Sequence, residues 1–577
     1  MFLTRNYNCK KENRNMNTDN LQETIVTNAD PQVRGYAYPP MPPRIEVRKA
    51  NPELMKKLGP SAIIYALFLT LCLYKNPNGI TYPFYVAGTI GFSAYIIKKL
   101  GASWKKENIL VVTACFLLGI STCLTDDARI VFMNKLLLLF LNVYFILHTY
   151  CNTSGWRFGK YVTAMCDFGV KSFGKIFTPF SDLGEYIRLH KNAKNSQVLY
   201  ALIGVGISVP LILIVGGLLV SADLVFKDAV DTMFNGWDLA DIFGVVLWII
   251  FYFAFSYGMI TVLQEKDINE KIKDCKQFPP IIAIMSTFVI TIIYVLFSYI
   301  QITYLFGEKG ILPEGFTYAE YAREGFFQLL FVCILNLMIV LVGINLFKES
   351  KILKTILCVI SLCTFVMIAS SAYRMILYIR FYYLTFLRIF VLWALVVIAL
   401  LMIGIIVQIF KKNFPLFQYG LTIITICYII FSFSRPDYLI AKVNVGNMVF
   451  NVRGYVTEEP LWYSEENENN LPPMQEQFFL GHSYTDKWYI NGLCADAAPV
   501  IMTEDSVKAY QEYDTFKKEI HAKYEEEVWT DEKQAAYKEI TKKETWNKTY
   551  MERMLKEAEE CKGRKYNFSK AFVKQFL

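Results

Sequence analysis

Side chains able to carry charge or acid–base chemistry gather at the ends of long apolar runs rather than in a catalytic arrangement. They are Asp223, Gln301, the group Tyr318, Glu320, Tyr321 and Arg323, then Arg374, Tyr378, Arg380, Arg388, Asp437, Asn444 and Asp496. In such places carboxylates and guanidiniums can pair, bind a charged ligand or line an ion pathway, because a charge in or beside a membrane span is costly and usually paired. Each also has a structural reading. Thr317 followed by Glu320 forms a capping box behind Pro313 and Gly315. Glu320 and Arg323 then stand at i and i+3, within reach of a helical ion pair. Arg374 and Tyr378 share a helix face, where Arg374 can snorkel or meet a carboxylate. Structural pairing outweighs a ligand or ion pathway in this reading.

Enzymatic patterns are missing from the sequence. The four histidines, His148, His190, His482 and His521, follow no metal-ligand spacing, and no G-x-S-x-G elbow occurs. Gly169-Val170-Lys171-Ser172-Phe173-Gly174-Lys175 nearly spells a phosphate-binding loop, but Ile176 replaces the required Ser/Thr and no strand precedes it. No catalytic, cofactor-binding or metal-binding residue is therefore assigned, and a membrane hydrolase or metalloenzyme is disfavoured. The 13 cysteines include no C-x-x-C pair. Only Cys494 and Cys561 fall in the polar tail, which leaves a single disulfide open.

The elements that position these residues are membrane helices. The chain has 577 residues, 54% hydrophobic and 19% charged, against about 25% charged in soluble domains. Runs long enough for the hydrocarbon core lie at 60–74, 80–97, 108–124, 130–150, 198–222, 241–264, 280–305, 327–347, 352–379, 387–410 and 416–434. The expected fold is an all-α polytopic bundle of about eleven spans, with a C-terminal α+β extracytoplasmic domain. Residues 1–58 read as a cytosolic, proline-rich arm, 59–150 as the first four spans, 151–197 as a cytosolic loop, 198–434 as spans five to eleven, and 435–577 as the outer domain. Pieces 438–445 and 448–456 look strand-like, and about 504–560 helical. No cleavable leader is visible, so the first span is expected to start insertion.

Basic residues orient the bundle. Lys98, Lys99, Lys105 and Lys106, the cluster from Arg157 to Lys194, Lys266 to Lys276, Lys348 to Lys354, and Lys411 with Lys412 occupy alternate loops. The intervening loops carry Asp126, Asp127, Asp223, Asp228, Asp231 and Asp238. A cytosolic N-terminus and external C-terminus follow. The net charge of +8 is thus topological and does not point to nucleic acid. Within 156–190, Phe158, Tyr161, Met165, Phe173, Phe177 and Phe180 alternate with Lys160, Lys171 and Lys175. Such a stretch suits anionic inner-leaflet lipid, or packs beneath the bundle. Beyond the lipid bilayer, the expected partner is an envelope protein met by 435–577, whose aromatic residues Trp462, Tyr463, Phe478, Phe479, Trp488 and Tyr489 are enough to seed an independent core.

Several motifs carry a family resemblance: Ser221-Ala222-Asp223-Leu224-Val225-Phe226, Gln301-Ile302-Thr303-Tyr304, Thr317-Tyr318-Ala319-Glu320-Tyr321-Ala322-Arg323, Ser371-Ala372-Tyr373-Arg374, Pro436-Asp437-Tyr438-Leu439-Ile440-Ala441-Lys442-Val443-Asn444 and Asp496-Ala497-Ala498-Pro499. From about 200 to 500, with an echo at Tyr566-Asn567-Phe568-Ser569, the chain resembles the bacterial multipass proteins of domain-of-unknown-function family 4173. Tyr382-Tyr383-Leu384-Thr385 departs from a glycine-bearing turn, and Cys494-Ala495 stands where that family tends to have Ser. The resemblance implies a protein of the bacterial cytoplasmic membrane and transfers no activity. A scaffold or sensor at the outer face is the first functional expectation. A transporter or channel comes second, since mid-span polarity is little more than Asn142 and Asn336. An envelope-modifying enzyme using Asp223, Glu320 or Asp496 comes third.

Overall fold

A computed structural model describes residues 48–153, 155–189, scattered positions between 204 and 225, 239–266, 268, 278–303, 325–446, 488–524 and 530–577. One compact unit runs from Ala50 to Leu577. Every regular element among the described residues is a helix. Twelve of them precede the tail: α1 (Pro52–Leu73), α2 (Thr81–Lys99), α3 (Asn108–Leu124), α4 (Ala128–Tyr150), α5 (Phe158–Gly174), α6 (Thr178–Leu189), α7 (Leu239–Gln264), α8 (Pro280–Gln301), α9 (Phe326–Leu346), α10 (Lys351–Tyr382), α11 (Phe386–Phe410) and α12 (Leu416–Phe433).

Among the described residues eight helices are long and apolar enough to cross a membrane: α1, α4, α7, α8, α9, α10, α11 and α12. Their exteriors stay greasy. Only 17% of the apolar window of α8 is buried, and Ile281, Met285, Phe288, Ile292 and Leu296 are exposed. A soluble surface would not leave a stripe of that length in water; lipid is its solvent, and the chain is a multi-pass membrane protein. Of the expected eleven spans, eight appear among the described residues. The run 108–124 forms the shorter apolar helix α3. The run 80–97 forms α2, whose window is diluted by Thr89, Ser93, Lys98 and Lys99. The run 198–222 lies largely outside the described residues.

Contacts fix two ends of the bundle. At one end Asn51 donates its backbone N–H to Asp182 Oδ1 (2.9 Å) and its amide to Gln264 Oε1 (3.1 Å), and Tyr257 Oη donates to Asp182 Oδ2 (2.8 Å). Lys175 pairs with Glu265 (2.6 Å) and Lys412 with Glu349 (2.8 Å) at this same end. The segment 156–190 therefore forms α5 and α6, which pack beneath the spans through Tyr161, Met165 and Phe168. Their other side leaves Val170, Phe173 and Phe177 exposed.

The opposite end carries the tail. Helix α13 (Pro436–Gly446) follows α12 directly, and after residue 488 come a short turn at Ala495–Ala497, then α14 (Glu504–Tyr524), α15 (Asp531–Lys543), α16 (Lys548–Glu559) and α17 (Phe568–Lys574). The α+β expectation is corrected: no strand occurs among the described residues, and the 438–445 piece is helical. Its buried positions, Pro436, Asp437, Ile440, Ala441 and Asn444, recur at helical spacing. The stretch 448–456 lies outside the described residues. The tail is a cap sharing its core with the bundle: Ile440, Ile490, Leu493, Tyr550, Met551 and Val573 pack with Leu384, Phe386 and Ile389 of the α10–α11 turn.

Candidate functional site

Under the cap, three carboxylates are buried almost completely: Asp127 (2% exposed), Asp437 (1%) and Asp496 (0%). Each comes from a different element. Asp127 is the N-cap of α4, its Oδ1 accepting from Arg129 N at 2.9 Å. Asp437 sits in the first turn of α13, and Asp496 in the turn before Ala498. A buried carboxylate is tolerable only when paired and hydrogen-bonded. Some of the partners lie within the cap or within the bundle, and Arg129–Asp437, Thr125–Asp496 and Asp126 N–Asp496 cross between the two.

Arg129 is the hinge of the first half. Its Nε and Nη2 grip Asp127 at 2.8 Å each, and Nη2 also reaches Asp437 Oδ1 at 2.6 Å. The guanidinium lies 3.8 Å above the Phe386 ring, a stacking that suits arginine. The second oxygen of Asp437 accepts from Cys494 N at 3.0 Å. Burial pushes the Asp437 carboxyl up, Asp127 adds to the push, and Arg129 and the Cys494 N–H oppose it. Burial likewise raises the Cys494 thiol, with Asp496 the next contributor.

Asp496 anchors the second half. It accepts from Thr125 Oγ1 and Ser569 Oγ, and from Asp126 N at 3.1 Å. Arg435 stands 3.7 Å away and donates to Leu124 O at 3.0 Å. Arg435 has φ +49°, a conformation uncommon for a side chain other than glycine. That strain is held where α12 turns into α13, beneath the cap. Asn567 caps α17 and donates to Asn78 O (3.1 Å) and Thr125 O (2.9 Å). Lys570 bridges Asp126 (3.2 Å) and Glu557 (3.0 Å). Burial pulls its ammonium down, but Asp126 and Glu557 together prevail and the net direction is up; burial raises Asp126 despite Lys570.

Residues 112–451, more than half of the chain, match the model of a domain of unknown function, DUF4153. The chain belongs to the DUF4153 family. The family shown is numbered 4153 and not the 4173 that the sequence motifs resemble; the class, an uncharacterised family, stands. No curated protein and no solved structure matches. The DUF4153 segment contains Thr125, Asp127, Arg129, Arg435, Asp437 and Asn444, whereas Asp496, Asn567, Ser569 and Lys570 lie beyond it. The junction thus joins the family domain to the chain that follows.

The residues singled out from the sequence divide into groups. Asp437, Asn444 and Asp496 meet at this junction. Asn444 holds the α10–α11 turn by accepting from Leu384 N (3.0 Å) and donating to Leu384 O (2.9 Å). Gln301, Arg374, Tyr378 and Arg388 lie at helix ends on the same side. Gln301 Oε1 accepts from Ser370 Oγ at 2.6 Å. The Arg374 guanidinium lies against Gly325, and Arg388 sits 4.3 Å over the Tyr378 ring. Asp223 and Arg380 are exposed. Asp223 turns back to accept from Val225 N at 2.7 Å. Tyr318, Glu320, Tyr321 and Arg323 lie outside the described residues. Cys494 and Cys561 are both free thiols.

Sequence reasoning counts Asp127 only among the loop acids and gives no site role to Asp127, Arg129 or Arg435. The Asp126-Asp127 doublet closing an apolar run, with Arg129 two residues on, is the signal that could have found them.

Proposed function

We propose that this DUF4153 protein is a scaffold or sensor of the bacterial cytoplasmic membrane, working through its helical cap on the outer face. The carrying observation is the clamp itself: Asp437 reaches Arg129, which Asp127 holds in place, and Asp496 reaches Thr125 and the Asp126 N–H, so the cap's two buried acids are tied to the α3–α4 turn. A cap fastened by desolvated charge moves with the spans, so an envelope partner seated on 488–577 acts on the bundle and the bundle on the partner. Lys105, Arg157, Lys175 and Lys412 stand at the end away from the cap, and the positive-inside tendency assigns that end to the cytosol.

Polar groups within the bundle support this reading over transport. Asn134 is occupied by Thr122 (3.0 Å), Tyr428 (2.8 Å) and Ser432 (3.1 Å), and Asn336 donates to Thr364 (3.0 Å). Asn142 accepts from Ser93 at 3.4 Å. Such pairs tie helices together.

The test is complementation of a null strain by the full chain and by a chain ending at Gly446 fused to an export-active reporter. A scaffold or sensor loses function on truncation while the reporter marks an inserted bundle with its end outside. Full complementation by the truncated chain would transfer the activity to the spans and favour transport; an inactive reporter would reverse the orientation.

A further inference from the structure

Beside the clamp, where the α1–α2 turn, α4, α7 and the cap meet, lies a cavity of about 660 Å³. Its rim lysines have carboxylate partners. Lys75 pairs with Asp241, Lys570 with Asp126 and Glu557, and Lys565 with Glu560 at 3.9 Å. The fourth lysine lining it, Lys135, differs. It belongs to a membrane-spanning helix, and among the described residues no carboxylate pairs with it. Its ammonium has the Tyr82 ring at 5.4 Å. Lys135 stands seven residues past Ala128, about 10 Å along from the start of α4 at 1.5 Å per residue. An ammonium at that depth is costly unless an anion or water meets it.

The surroundings narrow the anion. Tyr82, Trp248 and Tyr252 wall the cavity. Trp248 is seven residues past Asp241 in α7, also about 10 Å in, and packs 5.2 Å from Tyr252. Trp248 is 45% exposed, and Leu247 and Phe251 beside it are exposed too, so the wall opens sideways onto lipid at aromatic-belt depth. The cavity thus offers the Lys135 ammonium, a rim where Glu557 and Glu560 are already paired with Lys570 and Lys565, and an apolar exit along α7.

We infer that this cavity binds the phosphate of an anionic amphiphile, with Lys135 as counter-ion and the acyl chain leaving past Trp248. The cavity shares Asn78 and Lys570 with the junction, but Lys135 and Trp248 take no part in the clamp, so the site can fail while the scaffold reading survives.

Native mass spectrometry of the full chain, loaded with phosphatidylglycerol or phosphatidylcholine, tests it. Wild type and Lys135→Arg should retain one phosphatidylglycerol, and Lys135→Gln should retain it at least tenfold less well. Trp248→Ala keeps every charge and should weaken lipid retention, with inorganic phosphate unaffected. Displacement of the lipid by millimolar inorganic phosphate, with no loss on Trp248→Ala, would assign the site to free phosphate and overturn the amphiphile. Equal retention by Lys135→Gln and wild type, or no binding of either anion by wild type, would overturn the site altogether.

Discussion

At the residue scale the weight falls on Arg129, which neutralises two carboxylates that are nearly inaccessible to water. Removing it strands both. Arg129→Gln should lower stability by about 3 kcal/mol, the low end for a broken buried pair because the guanidinium itself still touches water. Asp437→Asn added to it should cost less than the two single changes summed, as partners in one network do. Thermal melts in detergent measure the cycle, and strict additivity would dissolve the network. A pH effect follows from burial. Asp437 and Asp126 both hold their protons more tightly when folded than at the ordinary value of 3.8. A raised carboxyl contributes stability that is full below the unfolded pKa and lost as pH rises through the folded one. The melting temperature should therefore fall as pH rises above about 4, and Asp437→Asn should flatten that slope. An unchanged slope would mean that Asp437 titrates normally.

Turns and caps decide the fit at the scale of elements. Gly325, which opens α9, has φ +91°, and a Cβ built there would stand 2.8 Å from Arg374 Nη1. Gly325→Ala should cost about 1–3 kcal/mol through backbone strain and a displaced guanidinium. Gly169→Ala in α5, where a Cβ meets nothing, should be neutral or slightly stabilising. Equal melting temperatures for the two variants would contradict the geometry. Much at this scale is legible in the sequence. The eight helices long and apolar enough to span coincide with apolar runs, because in hydrocarbon a single segment satisfies its own backbone only as a helix. The 438–445 piece looks strand-like through its aromatic and β-branched residues Tyr438, Ile440, Val443 and Val445, while burial follows the helical set Asp437, Ile440, Ala441 and Asn444. Asp437 and Asp496 are visible as charges at the right end. Their partners are not, because Asp496 meets Thr125 across 371 positions of sequence and Ser569 across 73.

At the scale of the whole molecule, the described residues of the tail do not stand apart as an independent domain. Its core takes in Leu384, Phe386 and Ile389, and its buried acids are satisfied by the α3–α4 turn. The aromatic residues at 462, 463, 478 and 479, expected to seed a separate core, lie outside the described residues. Cap and bundle therefore form one body, fastened by the carboxylate clamp. Hydrogen–deuterium exchange on the full chain in nanodiscs, wild type against Arg129→Gln, puts that fastening to the test. Protection at 490–501 and 568–574 should fall at least tenfold, about 1.4 kcal/mol, while 386–410 is unchanged. Unaltered protection across the cap in Arg129→Gln would contradict the clamp.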